Sequence, residues 1–129
     1  MKSVLIIDDE DAVRLALKRV LERAGYVVRL AASGPEGLTA LRAQIADVVI
    51  TDIVMPKVHG VDTIKAIVQE FPQIRIVAIS GGGNFGATEY KPNAITTTAY
   101  LTAAQAAGAH AVLTKPFETR DVLLAINGG

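Results

Sequence analysis

The sequence predicts an α/β fold: a doubly wound sheet of parallel strands with helices on both faces. Five short apolar runs rich in Val and Ile, at about 3–8, 26–31, 47–51, 74–79 and 110–114, are continuous rather than alternating, as expected of strands covered on both faces. Segments of helical period separate them. Acidic residues close two of the runs, Asp8 and Asp9 after SVLII and Asp52 after DVVIT. In an open α/β sheet the carboxyl ends of the strands face one crevice, so such residues converge there.

Taken in order, the first helix spans 10–24. It places Val13, Ala16, Leu17, Val20, Leu21 and Ala24 on one stripe and Arg14, Lys18, Arg19, Glu22 and Arg23 elsewhere, and Gly25 suits a left-handed stop. The second, 33–44, has a cap at Ser33, Pro35 in its first turn, and Leu38, Leu41 and Ile45 as inward positions. The third, 61–70, turns Val61, Ile64, Ile67 and Val68 inward and stops before Pro72. From Gly81 to about Thr96 the glycine-rich GGGNFGATEYKPNAIT has no sustained period and reads as a long loop, a feature uncommon in compact domains. A fourth helix over 97–107, with Leu101, Ala104 and Ala107 inward, ends at Gly108. The last, 118–127, carries Val122, Leu123 and Ile126. Strict alternation of strand and helix with right-handed crossovers makes the sheet doubly wound.

Bulk composition narrows the function classes. A chain of 129 residues, 50% hydrophobic, suits one domain with one core. Thirteen basic and 13 acidic residues balance to no net charge, so a sequence-independent grip on nucleic acid or on an anionic membrane is not expected. With no cysteine, disulfides and thiolate metal sites are excluded, which suits a reducing cytoplasm. The N-terminal apolar stretch is too short for a signal or membrane segment.

Three carboxylates in one crevice repel. At about 6 Å and an effective dielectric near 20, each pair costs roughly 3 kcal/mol. A hard divalent cation such as Mg²⁺, or Mn²⁺, meets that need through oxygen ligands, and Lys115, before Pro116, offers a second positive charge. The cluster reads as a site for metal-assisted phosphate chemistry. Taken singly, the residues have other uses: Asp8, Asp9 or Asp11 as a helix cap, Asp52 in a turn, Ser80 as a hydrogen-bonded turn residue, Lys115 as a solvated charge. His59 and His110 lack ligand spacing. No GK[ST] follows Gly81–Gly83, and Ser80 lies in no GxSxG elbow.

In combination, IIDDE at 6–10, DIVMPKVHG at 52–60, Ser80 at the fourth strand and TKPF at 114–117 resemble the signature of response-regulator receiver domains of two-component signalling, over essentially the whole chain. The resemblance implies a flavodoxin-like sheet of order 2-1-3-4-5 with five helices. It implies that Asp52 takes a phosphoryl group from a phosphohistidine of a histidine kinase or histidine phosphotransfer protein. Asp9 and Asp52 would bind the metal through carboxylates, Val54 through its main-chain carbonyl and Asp8 through water. Lys115 would pair with the phosphoryl oxygens, its peptide to Pro116 resembling the family's cis bond, and Ser80 would donate its hydroxyl to the phosphorylated group. Pro56 and Gly60 are structural positions of the motif.

The chain departs from that pattern in three places. Val112 stands where many receivers carry an aromatic switch residue. The spacing from Ser80 to Lys115 is longer than usual, the extra residues falling around the fourth helix, a surface many receivers use for output or for pairing as homodimers. The sequence ends just after the last helix, so a stand-alone receiver is the expectation. The reading is therefore a cytoplasmic, phosphorylation-dependent switch with a downstream protein partner. It would assist its own phosphorylation and dephosphorylation and would not be an enzyme on separate substrates. Two alternatives stand beside it: a receiver-like interaction module that works without phosphorylation, and a small Mg²⁺-dependent phosphatase, for which Val54 occupies the place of a second acid.

Overall fold

A computed structural model describes residues 2–52, 60–80, 104–114 and 118–127. Strands β1 (Ser3–Ile7), β2 (Val27–Ala31), β3 (Val48–Asp52), β4 (Arg75–Ser80) and β5 (Ala111–Thr114) form one sheet in the order β2-β1-β3-β4-β5. All four pairings are parallel. Helices α1 (Asp11–Arg23), α2 (Gly34–Ala43) and α3 (Gly60–Glu70) follow the first three strands; residues 104–107 belong to a fourth, α4, and Thr119–Asn127 form α5. The 81–96 loop and the expected start of α4 lie outside the described residues.

Each central strand is buried on both faces, and successive residues supply opposite layers. Leu5, Ile7, Val49, Ile76 and Ala78 pack with Leu41 of α2, Ile64 and Ile67 of α3 and Ala104 of α4. Val4, Ile6, Val48, Ile50, Val77 and Ile79 pack with Leu17 and Leu21 of α1 and with Val122, Ala125 and Ile126 of α5. Burying a side chain of this size contributes about 1.5–3 kcal/mol. Three positions expected inward face solvent instead. Ala16 and Ala24 of the α1 stripe are exposed, and so is Ile45, beyond the end of α2, where Ala46 takes the buried place. Small methyl groups at the margin of a stripe lose little by facing water, and Ile45 follows a residue whose backbone has already turned extended.

Helix ends are closed by local chemistry. Ser33 accepts from the N–H of Glu36 at the start of α2, and Glu36 accepts in return from the N–H of Ala32, a variant of the capping box. At the end of α1, Gly25 takes φ 96°, with Tyr26 N–H donating to the Leu21 carbonyl and Gly25 N–H to that of Glu22. The same six-to-one closure ends α4 at Gly108, φ 124°, through Ala109 to Ala104 and Gly108 to Gln105. Arg29 of β2 donates to the carbonyls of Ala40 and Gln44 at the end of α2. Arg75 of β4 donates to the Ala125 carbonyl of α5.

Helices α2 and α3 are joined at the surface by Arg42 and Glu70, both contacts at 2.8 Å. The hydrogen bond from Arg42 holds Glu70 below the usual carboxylate range. Its small contribution is present at neutral pH and is lost as acid protonates Glu70.

The two left-handed glycines differ in their surroundings. A Cβ at Gly25 would meet nothing within 4 Å, whereas one at Gly108 would lie 2.6 Å from Val68 Cγ2. Gly25→Ala should therefore cost about 1–2 kcal/mol for backbone conformation alone. Gly108→Ala should cost more, by about another 1 kcal/mol or more for the clash. Urea denaturation of the two variants checks this, and equal losses would contradict the packing described for Gly108.

Candidate functional site

The sheet register brings the two central acids together. Ile7 pairs with Thr51 across β1 and β3, so Asp8 and Asp52 follow side by side at the carboxyl ends of adjacent strands, about 4.8 Å apart in backbone spacing. Asp8 extends β1 by one more bond, its N–H donating to the Ala31 carbonyl of β2 at 3.1 Å. Asp8 is fully buried and Asp52 is 3% exposed. Carboxylates seldom go so deep without charged or metal partners.

The third carboxylate of the cluster is Glu10. One carboxylate oxygen from each of Asp8, Glu10 and Asp52 lies within 4.8 Å of the others. Asp9, expected in the metal set, is exposed and is not part of this cluster. The backbone explains the arrangement. Asp8 Oδ1 accepts from the N–H of Glu10 at 2.8 Å, a turn that carries the chain past Asp9 and returns Glu10 toward the strand ends. Arg14, in the first turn and a half of α1, donates to the Asp8 carbonyl and to the Asp11 carboxylate. The loop is thus held from both sides by one guanidinium. The signal for Glu10 was in the sequence, an acid at the junction of strand and helix, but it was absorbed there by the IIDDE motif.

Of the other expected residues, Ser80 is the last residue of β4 and pairs with Thr114 of β5. Gly60 opens α3. Val112 lies in β5 opposite Ala78, partly buried. Val54, Pro56, His59, Lys115 and Pro116 lie outside the described residues. His110 is exposed, and its Nδ1 accepts from the Ile76 N–H at 3.0 Å, a tie between strand ends far from the acids.

Three carboxylates within 4.8 Å repel by about 3 kcal/mol per pair at an effective dielectric near 20. An all-oxygen donor set of this charge fits a hard divalent cation of the Mg²⁺ or Mn²⁺ kind. It gives no soft ligand for copper or a thiolate-bound zinc. Among the described residues, no helix is long and apolar enough to cross a membrane.

Comparison with known proteins bears on this site. The family model of the response regulator receiver domain matches residues 4–127. The chemotaxis protein CheY of Thermotoga maritima is 33% identical over 127 residues, covering 98% of this chain and 95% of that protein. Among solved structures, chemotaxis protein CheY4 of Vibrio cholerae superposes with a TM-score of 0.81 at 28% identity, covering 99% of this chain and 98% of that one. A response regulator receiver domain protein from Clostridium thermocellum gives 0.79 at 31% identity, with 99% and 93% covered. Several other curated relatives are longer, and the chain spans 9% to 30% of four of them.

With divalent cations removed by chelation, Asp52→Asn should raise the thermal midpoint, since it takes one like charge from the cluster, a gain of about 1–2 kcal/mol after solvent relaxation. Added Mg²⁺ should raise the wild-type midpoint and leave that of the variant nearly unchanged. Differential scanning calorimetry reads both; a lower midpoint for the variant in chelator would contradict the repulsion argued here.

Proposed function

Because this chain belongs to the response regulator receiver domains, we propose that it is a phosphoryl-accepting switch with Asp52 as the acceptor. The observation that carries this is the buried Asp52 carboxylate at the end of central strand β3, set against Asp8 and Glu10. In the transfer, an Asp52 oxygen attacks the phosphorus of a phosphohistidine on a histidine kinase or histidine phosphotransfer protein. The P–N bond breaks, its electron pair stays on the imidazole nitrogen, which takes up a proton, and an acyl phosphate forms on Asp52.

Asp8, Asp52 and a further acid of the loop from Asp8 to Glu10, with the Val54 carbonyl, would hold Mg²⁺ or Mn²⁺. When bound, the cation neutralises charge on the transferring oxygens. Lys115 would approach those oxygens from the other side. Strand order supports this: Lys115 follows Thr114, whose neighbour Ser80 ends β4, beside the strand that ends in Asp52. Ser80 would donate its hydroxyl to the phosphorylated group and draw its own loop inward, changing the surface around α4 that a downstream protein partner reads. With aliphatic Val112 in β5, that change proceeds without the movement of a ring. Reaction stays within the domain, whose product is its own phosphorylated form.

Intact mass after incubation with acetyl phosphate and Mg²⁺ tests the reading. Wild type should gain one phosphoryl adduct and Asp52→Ala none. Failure of wild type to gain one, with a histidine-kinase donor also failing, would move the function to phosphorylation-independent binding. Ser80→Ala should still accept the phosphoryl group but lose most of the phosphorylation-dependent change in amide hydrogen exchange around α4.

A further inference from the structure

We infer that Thr51 is a positioning residue for phosphoryl transfer, its hydroxyl holding the Asp52 backbone in the conformation that presents the carboxylate, an inference that rests on the phosphoacceptor reading above. The run DVVIT is apolar from Val48 to Ile50 and then takes a threonine where a further aliphatic residue would continue it. Thr51 is fully buried. It stands between Ile7 of β1 and Ala78 of β4, both members of the apolar layer that packs with Leu41 and Ile64. Valine has nearly the same shape and would keep that layer free of a polar atom. Burying a hydroxyl costs free energy unless it is hydrogen-bonded, so the partner of this hydroxyl shows what it is for.

That partner is the main chain of the next residue. Thr51 Oγ1 donates to the Asp52 carbonyl at 3.2 Å. The bond closes a ring of atoms through the Asp52 nitrogen, Cα and carbonyl carbon, and so restrains both backbone angles of the residue that bears the carboxylate. Branching at Cβ leaves threonine few choices of χ1, which suits it to the task. Asp52 is the last residue of β3 and pairs with Ile79 of β4, while the register with β1 runs only as far as Ile7 beside Thr51. At that margin the ladder alone constrains the backbone least. Successive side chains of a strand project to opposite faces, so the hydroxyl acts through the backbone without touching the reacting carboxylate. Transfer rates fall steeply with small misplacements of the reacting atoms, and a tether on the acceptor's own backbone bears on the rate more than on stability.

Two variants of the full chain separate positioning from packing: Thr51→Val keeps the shape and deletes the donor, and Thr51→Ser keeps the donor and deletes a buried methyl. Each is incubated with acetyl phosphate and Mg²⁺ at a temperature where calorimetry shows it folded, and the adduct is followed over time by intact mass. Thr51→Val should accept the phosphoryl group about threefold to tenfold more slowly than wild type, one buried hydrogen bond expressed in the rate. Its Asp52 carbonyl ¹³C resonance should be displaced. Thr51→Ser should keep that resonance and a rate within about twofold of wild type, although loss of the methyl lowers its thermal midpoint. A Thr51→Ser variant as slow as Thr51→Val, an unmoved carbonyl resonance in Thr51→Val, or a Thr51→Val rate within about twofold of wild type overturns the inference. A wild type that gains no adduct from acetyl phosphate or from a histidine-kinase donor overturns the phosphoacceptor reading itself, and the inference with it.

Discussion

Strands β1 and β3 pair in parallel with Val4 beside Val48 and Ile7 beside Thr51, and everything at the site depends on that register. Alternate residues of both strands are committed to opposite layers, Leu5, Ile7 and Val49 to one and Val4, Ile6, Val48 and Ile50 to the other. A slip by one residue would turn each set toward the wrong layer. The apolar contacts thereby fix which residues stand last in each strand, and those are acids. Repulsion between Asp8 and Asp52 is a few kcal/mol by the estimate above. It is set against many buried aliphatic side chains, each contributing about 1.5–3 kcal/mol. The core can hold like charges together because it is far larger than the penalty they bring.

The turn between β1 and α1 does the remaining positioning with few atoms. Asp8 uses its N–H on the sheet, its carbonyl on Arg14 and one carboxylate oxygen on the N–H of Glu10. Helix α1 is itself anchored by Leu17 and Leu21, so the guanidinium of Arg14 is held relative to the sheet. The acids of this loop therefore inherit their geometry from the core through α1, and not from the loop alone. On the opposite layer, Gly37 lets α2 approach β1: a Cβ there would lie 2.4 Å from Ile7 Cδ1. The strand that delivers Asp8 is thus clamped from both sides.

Continuous Val and Ile runs made the five strands legible, and their order followed from the resemblance of the acidic and TKPF motifs. Several strand boundaries differ by one residue, as at β2, expected from Tyr26 and observed from Val27. Tyr26 reads as apolar, but its N–H is spent on closing α1 at Leu21, a helix-capping role that hydrophobicity does not encode. Helix stripes were legible where large residues defined them, as at Leu17, Leu21, Ile64 and Ile67, and illegible at Ala16 and Ala24, whose methyl groups give periodicity without much driving force. Asp8 and Asp52 were visible as acids ending apolar runs. That Asp9 faces solvent while Glu10 turns back beside Asp8 and Asp52 was not, because it depends on how tightly the chain turns after Asp8, and four consecutive acids, Asp8 to Asp11, carry no sign of which one the turn will expose.

Strand β2 lies at the edge of the sheet, with Val27 and Leu30 both facing solvent. A run such as VVRLA with a free edge is the kind of segment that recruits a foreign strand. Arg29 sits in its middle and spends its guanidinium on the last carbonyls of α2. The same side chain that finishes a helix therefore keeps a positive charge on this edge strand, coupling the closure of α2 to colloidal behaviour. Neutral replacement at this position would expose the carbonyls of α2 and remove the guard of the edge in a single step.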